Sequence, residues 1–125
     1  MNKQIKQVEE FHETFGQLIN KTPTIPTEEI CKLRHNLLIE EVYELEEGLI
    51  ENNMVKVSDG IVDCLYILFG TINSLGLQDV IEKMFDEVHA SNMSKLEDGE
   101  VLYREDGKIL KGKNYFKPDL KQFLT

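Results

Sequence analysis

The chain has 125 residues, of which 41% are hydrophobic and 30% charged, with a formal net charge of −9. That length and balance describe one globular domain over 1–125, and the negative charge argues against a nucleic-acid polymer as partner. No apolar run approaches a membrane span and no apolar stretch follows the amino terminus, so a cytoplasmic protein with no membrane partner is expected.

In chain order, Ile5, Val8, Phe11, Phe15 and Leu18 recur at helical spacing, which predicts a first helix over 3–19. Lys21 to Thr27 holds two prolines and reads as a loop. Thr27 is placed as an N-cap, with Glu28 and Glu29 in the first turn of a second helix that runs to about Glu51, where Asn52-Asn53 breaks it. A third helix is predicted from about Val55 to Ser74, ending at Gly76, and a fourth from near Gln78 to about Ser94. Val101 to Arg104 and Lys108 to Lys111 flank Asp106-Gly107, the signature of a β-hairpin. Asn114 to Thr125 is read as extended and packed on the body. The expected fold is therefore all-α, a four-helix bundle over 1–96 with a small C-terminal β-hairpin and basic tail over 97–125. Cys31 and Cys64 are far apart and outside any Cys-x-x-Cys motif, so both read as buried free thiols.

Two acidic patterns carry the chemistry. On the second helix, Leu38, Val42, Leu45 and Leu49 form one apolar stripe, read as the core stripe. A second stripe begins with Leu33 and Leu37 and continues into Glu41 and Glu44, with Glu40 beside it. A face that begins apolar and turns acidic points to carboxylates at the edge of a packed interface. The third helix, Ser58 to Phe69, is almost wholly apolar apart from Asp59 and Asp63 on one face. Charges in such a run are costly unless paired or bound to a metal. Glu41, Glu44 and Asp63, with Asp59 as a further candidate, are assigned to Mg²⁺, a hard cation that takes oxygen ligands and shares them with substrate phosphates. The competing reading is a solvated helix surface paired with Lys32, Arg34 or Lys56, and Glu46, Glu47 and Glu51 are read that way. Asp86 and His89 have the i,i+3 spacing of di-iron bundles, but that reading needs the element on two helices and only one carries it.

These residues resemble the MazG-like and phosphoribosyl-ATP pyrophosphohydrolase-like superfamily of all-α nucleoside triphosphate pyrophosphohydrolases. Its Glu-Glu-x-x-Glu pattern is complete in Glu40-Glu41-Val42-Tyr43-Glu44. Its Glu-x-x-Asp pattern is not, because Gly60 stands three before Asp63 and Asp59 four before it. That leaves Asp59 open as a direct ligand, a water-linked one or none. Glu10 to Gly16, Asp59 to Gly70, Asp86 to Lys95 and Glu105 to Asp119 resemble one bacterial and phage branch, so the resemblance covers nearly the whole chain.

The resemblance implies hydrolysis of a nucleoside triphosphate to monophosphate and pyrophosphate, with Mg²⁺ or in its place Mn²⁺, by a homodimer or homotetramer. The roles expected on that basis are Glu41, Glu44, Asp63 and Asp59 on metal, and Glu40 or Glu41 on the attacking water. Asn92 and Lys95, and Lys111 and Lys113 of the tail, are expected on phosphate oxygens, and His12 and Phe15 on the base. The alternative is a module that binds nucleotide or Mg²⁺ without cleaving it, supported by Gly60 in place of the usual acid.

Overall fold

The computed structural model describes residues 1–124. Thr125, the last residue of the segment read as extended, lies outside the described residues. Four α-helices form in the expected order: α1 (Asn2–Phe15), α2 (Glu28–Ile50), α3 (Met54–Leu75) and α4 (Ile81–Met93), followed by a 3₁₀ turn at Lys121–Phe123. No helix among the described residues is long and apolar enough to cross a membrane. The chain divides into two compact units, Met1–Asp79 and Val80–Thr125.

In the first unit the caps are those the sequence dictates. Thr27 Oγ1 accepts from Ile30 N, Asn53 Oδ1 accepts from Lys56 N at 3.2 Å, and Asn52 turns the chain at φ 54 between α2 and α3. Helix α1 stops at Gly16, in the left-handed region at φ 71, and so ends before Leu18. Leu18 is used differently: its carbonyl meets His12 Nδ1 at 3.0 Å and accepts from Ser74 Oγ at 2.9 Å, which straps the following loop to the end of α3. Asn20 N to Asn73 O and Thr24 N to Leu75 O continue the strap.

Helices α2 and α3 run antiparallel in very close contact. A Cβ on Gly48 would lie 2.8 Å from Val57 N, and one on Gly60 would lie 2.8 Å from Leu45 Cα. Both glycines therefore let backbone approach backbone. This contact sets the roll of α2. Its seam against α3 is Ile30, Arg34, Leu37, Glu41, Leu45 and Gly48, all buried or half-buried. The stripe expected as core is split: Leu45 lies in the seam and Leu38 is half-buried, whereas Val42 is 42% and Leu49 59% exposed on a flank. On the same side of the pair, α3 exposes Ile61, Leu65 and Leu68. Helix α1 lies antiparallel to the second half of α3, with Ile5 O accepting from Asn73 Nδ2 at 3.1 Å and the Phe11 ring edge-on to Tyr66 at 5.7 Å. Both cysteines are free, but half-buried rather than buried.

In the second unit, the tail lies along α4: Ser91 Oγ donates to Phe116 O at 2.8 Å, Phe116 N to Ser94 Oγ at 3.1 Å and Asp119 N to Glu87 Oε1 at 3.1 Å. The expected hairpin does not form as strands. The chain reverses at Gly107, but the only bridge between the two arms, among the described residues, is the isolated pair Tyr103–Ile109. Val101, Tyr103, Ile109 and Leu110 are exposed, and a two-stranded ribbon with no layer to pack on does not extend its ladder.

Candidate metal centre

The close approach at Gly48 and Gly60 brings the acidic patterns of the two helices together. Glu41, Glu44 and Asp63 each offer a carboxylate oxygen, and the three oxygens lie within 4.8 Å of one another. Glu41 belongs to the α2 seam; Glu44 follows it by one turn on the exposed flank. Asp63 is half-buried on α3, facing the same side.

Three carboxylates at this spacing repel, and the electrostatics show it. Burial, then contact with Glu44 and the charge of Asp63, raises the Glu41 carboxyl to about 7. Asp63 is pushed up by burial and by the charges of Asp59 and Glu44. The neighbouring Cys64 thiol is raised by burial and by Glu41 and Asp63. Glu41 Oε2 is buried and has no hydrogen-bond partner. No lysine, arginine or histidine forms an ion pair with any of the three among the described residues, since Lys56 is taken by Glu47 and Glu51, and Lys32 by Glu28. An orphaned buried oxygen in a cluster of uncompensated carboxylates fits a hard divalent cation.

The remaining candidates fall into distinct environments. Glu40 is exposed beside the cluster, and Asp59 is exposed near Asp63 but outside the three-oxygen group. The glycine at the usual acidic position has a packing cause: no side chain fits between Gly60 and Leu45. His12 is placed in the interior at 1% exposure, its ring lowered in basicity by burial and then by nearby Arg34, and Phe15 stacks on Phe11 while remaining 66% exposed. In the second unit Asn92 and Lys111 are exposed, the latter over the Tyr115 ring at 4.7 Å, Lys95 is half-buried and Lys113 pairs with Asp98 at 3.4 Å. Asp86 and His89 are exposed and take no part in a three-ligand cluster among the described residues.

Sequence reading missed Arg34, treating it as a partner for surface acids. It is 6% exposed and makes no ion pair among the described residues. It donates from Nε to Thr71 Oγ1, from Nη1 to Gln17 Oε1 and from Nη2 to Ile67 O. The signal was its place on the Leu37–Glu41 face of α2. A cavity of about 180 Å³ opens beside it between α1, α2 and α3, lined by Val8, Phe11, His12, Gln17, Arg34, Leu37, Tyr66 and Ile67.

Fold and site together define an all-α class with a carboxylate cluster shared by two antiparallel helices. The chain belongs to the phosphoribosyl-ATP pyrophosphohydrolase family, whose profile matches residues 8–92, within the MazG-like all-α superfamily. Membership makes it a hydrolase, a pyrophosphohydrolase acting on nucleotides. The match includes every residue of the acidic cluster and ends before Lys95 and the basic tail. No match is found among curated proteins.

Proposed function

We propose that the protein is a Mg²⁺-dependent nucleoside triphosphate pyrophosphohydrolase, cutting (d)NTP between the α and β phosphates to give (d)NMP and pyrophosphate in cytoplasmic nucleotide pools. The observation that carries this reading is the Glu41–Glu44–Asp63 cluster, with its raised carboxyls and its unpartnered buried oxygen. Glu41, Glu44 and Asp63 would hold a divalent cation, Mg²⁺ or Mn²⁺, which would supply charge neutralisation and Lewis-acid polarisation to the triphosphate.

The chain's own residues do the rest. Glu41 and Asp63 supply oxygens from the α2–α3 seam and Glu44 one from its rim; Asp59 adds negative potential from α3. Glu40, exposed beside the cluster, orients the attacking water and takes its proton as hydroxide oxygen bonds to the α-phosphorus and pyrophosphate leaves. On chemistry alone, Asn92, Lys95, Lys111 and Lys113 are the chain's candidates for phosphate oxygens. The active form in this proposal is a homodimer or homotetramer. The exposed apolar face of Val42, Leu49, Ile61, Leu65 and Leu68 supports it, since contiguous apolar surface of this kind marks an interface.

The binding-only alternative drew its support from Gly60, and contact with Leu45 accounts for a glycine there without any loss of function. The test is a product assay in Mg²⁺ over a panel of NTPs, dNTPs and phosphoribosyl-ATP. Monophosphate plus pyrophosphate from a triphosphate, lost in Asp63→Ala, is the expected result. Diphosphate plus phosphate, or no product from any nucleotide, contradicts it.

A further inference from the structure

A buried charge without a counter-ion is costly, and at Arg34 the cost is offset by hydrogen bonds to two separate stretches of chain. Two of them cross from α2 to α3: Nε donates to Thr71 Oγ1 at 3.1 Å and Nη2 to the Ile67 carbonyl at 2.8 Å. Thr71 Oγ1 donates in turn to the same carbonyl at 2.9 Å. The third, from Nη1 to Gln17 Oε1 at 3.2 Å, reaches the loop after α1. The guanidinium has no room to swing, because it lies with the buried His12 ring over Gly70, where a Cβ would collide with both.

These bonds belong to one register of α2 along α3. Arg34 meets Thr71, Leu45 meets Gly60 and Gly48 meets Val57, so α2 advances by eleven residues and then three while α3 retreats by eleven and then three. In that register Glu41 comes opposite Cys64 and next to Asp63. The Arg34 fork lies about two helical turns to one side of Glu41, and Gly48 about two turns to the other.

The two ends constrain different motions. At Gly48 and Gly60 backbone meets backbone, which sets how near the helices come. Dispersion contacts have little direction along the axis and resist sliding weakly. The Arg34 fork is directional, and hydrogen bonds weaken steeply once bent, so its two bonds to α3 oppose sliding. Sliding by one residue moves a helix about 1.5 Å. The three carboxylate oxygens lie within 4.8 Å of one another, and Mg²⁺ demands near-ideal octahedral geometry, so a slip of that size spoils a shared site.

We propose that Arg34 is a positioning residue for the carboxylate cluster: its fork locks α2 and α3 in the register that brings Glu41 and Glu44 within reach of Asp63, so that the three share one divalent cation. The inference rests on the metal-dependent reading above. The sign of the effect separates position from charge. A buried positive charge repels a cation, so if charge were all that Arg34 contributed, its removal would tighten metal binding. Loss of register weakens it.

The test is calorimetric titration of Mn²⁺ into folded protein, well below its Tm, with denaturant unfolding of the same samples. Arg34→Lys keeps the charge and loses the fork, and Arg34→Met loses both. Each should weaken Mn²⁺ binding on the order of tenfold, the range for groups that orient metal ligands without touching the metal. Thr71→Val removes one bond between α2 and α3 and should weaken binding on the order of threefold. Gln17→Leu breaks only the bond to the loop, and should lower stability while leaving Mn²⁺ affinity unchanged. A merely structural arginine would lower stability in every variant and affinity in none. If neither Arg34 variant folds, the contrast between Thr71→Val and Gln17→Leu decides, and equal affinity in those two overturns the proposal. Unchanged or tighter Mn²⁺ binding in the Arg34 variants also overturns it, and leaves the pyrophosphohydrolase reading standing. A wild type that binds no Mn²⁺ overturns the metal centre and this role with it.

Discussion

Glu41 is the residue on which stability and chemistry oppose each other. Its carboxyl is held in the α2 seam with one oxygen unpartnered, and it keeps its proton up to about 7 against an ordinary value of 4.5. Between those values the folded chain binds more protons than the unfolded chain, so metal-free stability falls as pH rises through that window and levels off above it. Thermal unfolding in chelator across the window should show that fall, and divalent cation should abolish it; a Tm that rises with pH would contradict the assignment. Glu44, on the rim, is exposed and has little part in packing, so its proposed role as a ligand can be tested apart from the fold. Glu44→Ala should keep the fold and lower kcat/KM by more than the 10–100-fold typical of residues that only support a metal ligand. The acids themselves were legible in the sequence, because glutamates that continue an apolar stripe and aspartates in an apolar helix are costly unless a cation or a proton neutralises them. The interior place of His12 was not legible, since burial on α1 depends on Arg34 and Gly70 of two other helices.

The closest approaches of the α2–α3 pair are made at two glycines. Gly48 and Gly60 lie where any Cβ would meet backbone atoms at 2.8 Å, so the helices cannot keep this spacing with larger residues. Gly60→Ala should part the helices at a cost of about 1–3 kcal/mol, partly offset by better helix propensity, and should weaken metal binding because Glu41 and Asp63 separate. Denaturant unfolding and a metal titration on the same variant check both. Gly60→Glu should be worse, whereas a site that merely lacked a ligand would be improved by it. Helix existence and order were legible from apolar period, caps and the Asn52-Asn53 break. The roll of α2 was legible only in part: of the leucine stripe ranked as core, Leu45 lies in the seam while Val42 and Leu49 are exposed, and the glycine contact brings Leu37 and Glu41 into the seam beside it. The hairpin expectation failed for a related reason, because Asp-Gly specifies a turn but not a layer for its arms to pack on.

Across the whole molecule, Val42, Leu49, Ile61, Leu65 and Leu68 form an apolar face that is exposed in the single chain. Sedimentation should therefore find a dimer or tetramer, and Leu65→Glu should shift it towards monomer with loss of activity; a wild-type monomer would rule out the oligomer. In the proposed function, carboxylates of α2 and α3 hold the cation on which hydrolysis depends. Calorimetric titration of Mn²⁺ into the wild type and Glu41→Gln puts that to the test. Wild-type binding should tighten as pH rises from about 6 to about 8, because Glu41 must release its proton to bind metal. Glu41→Gln should lose both the affinity and its pH dependence. Binding of unchanged strength in Glu41→Gln would contradict a metal centre built on this residue.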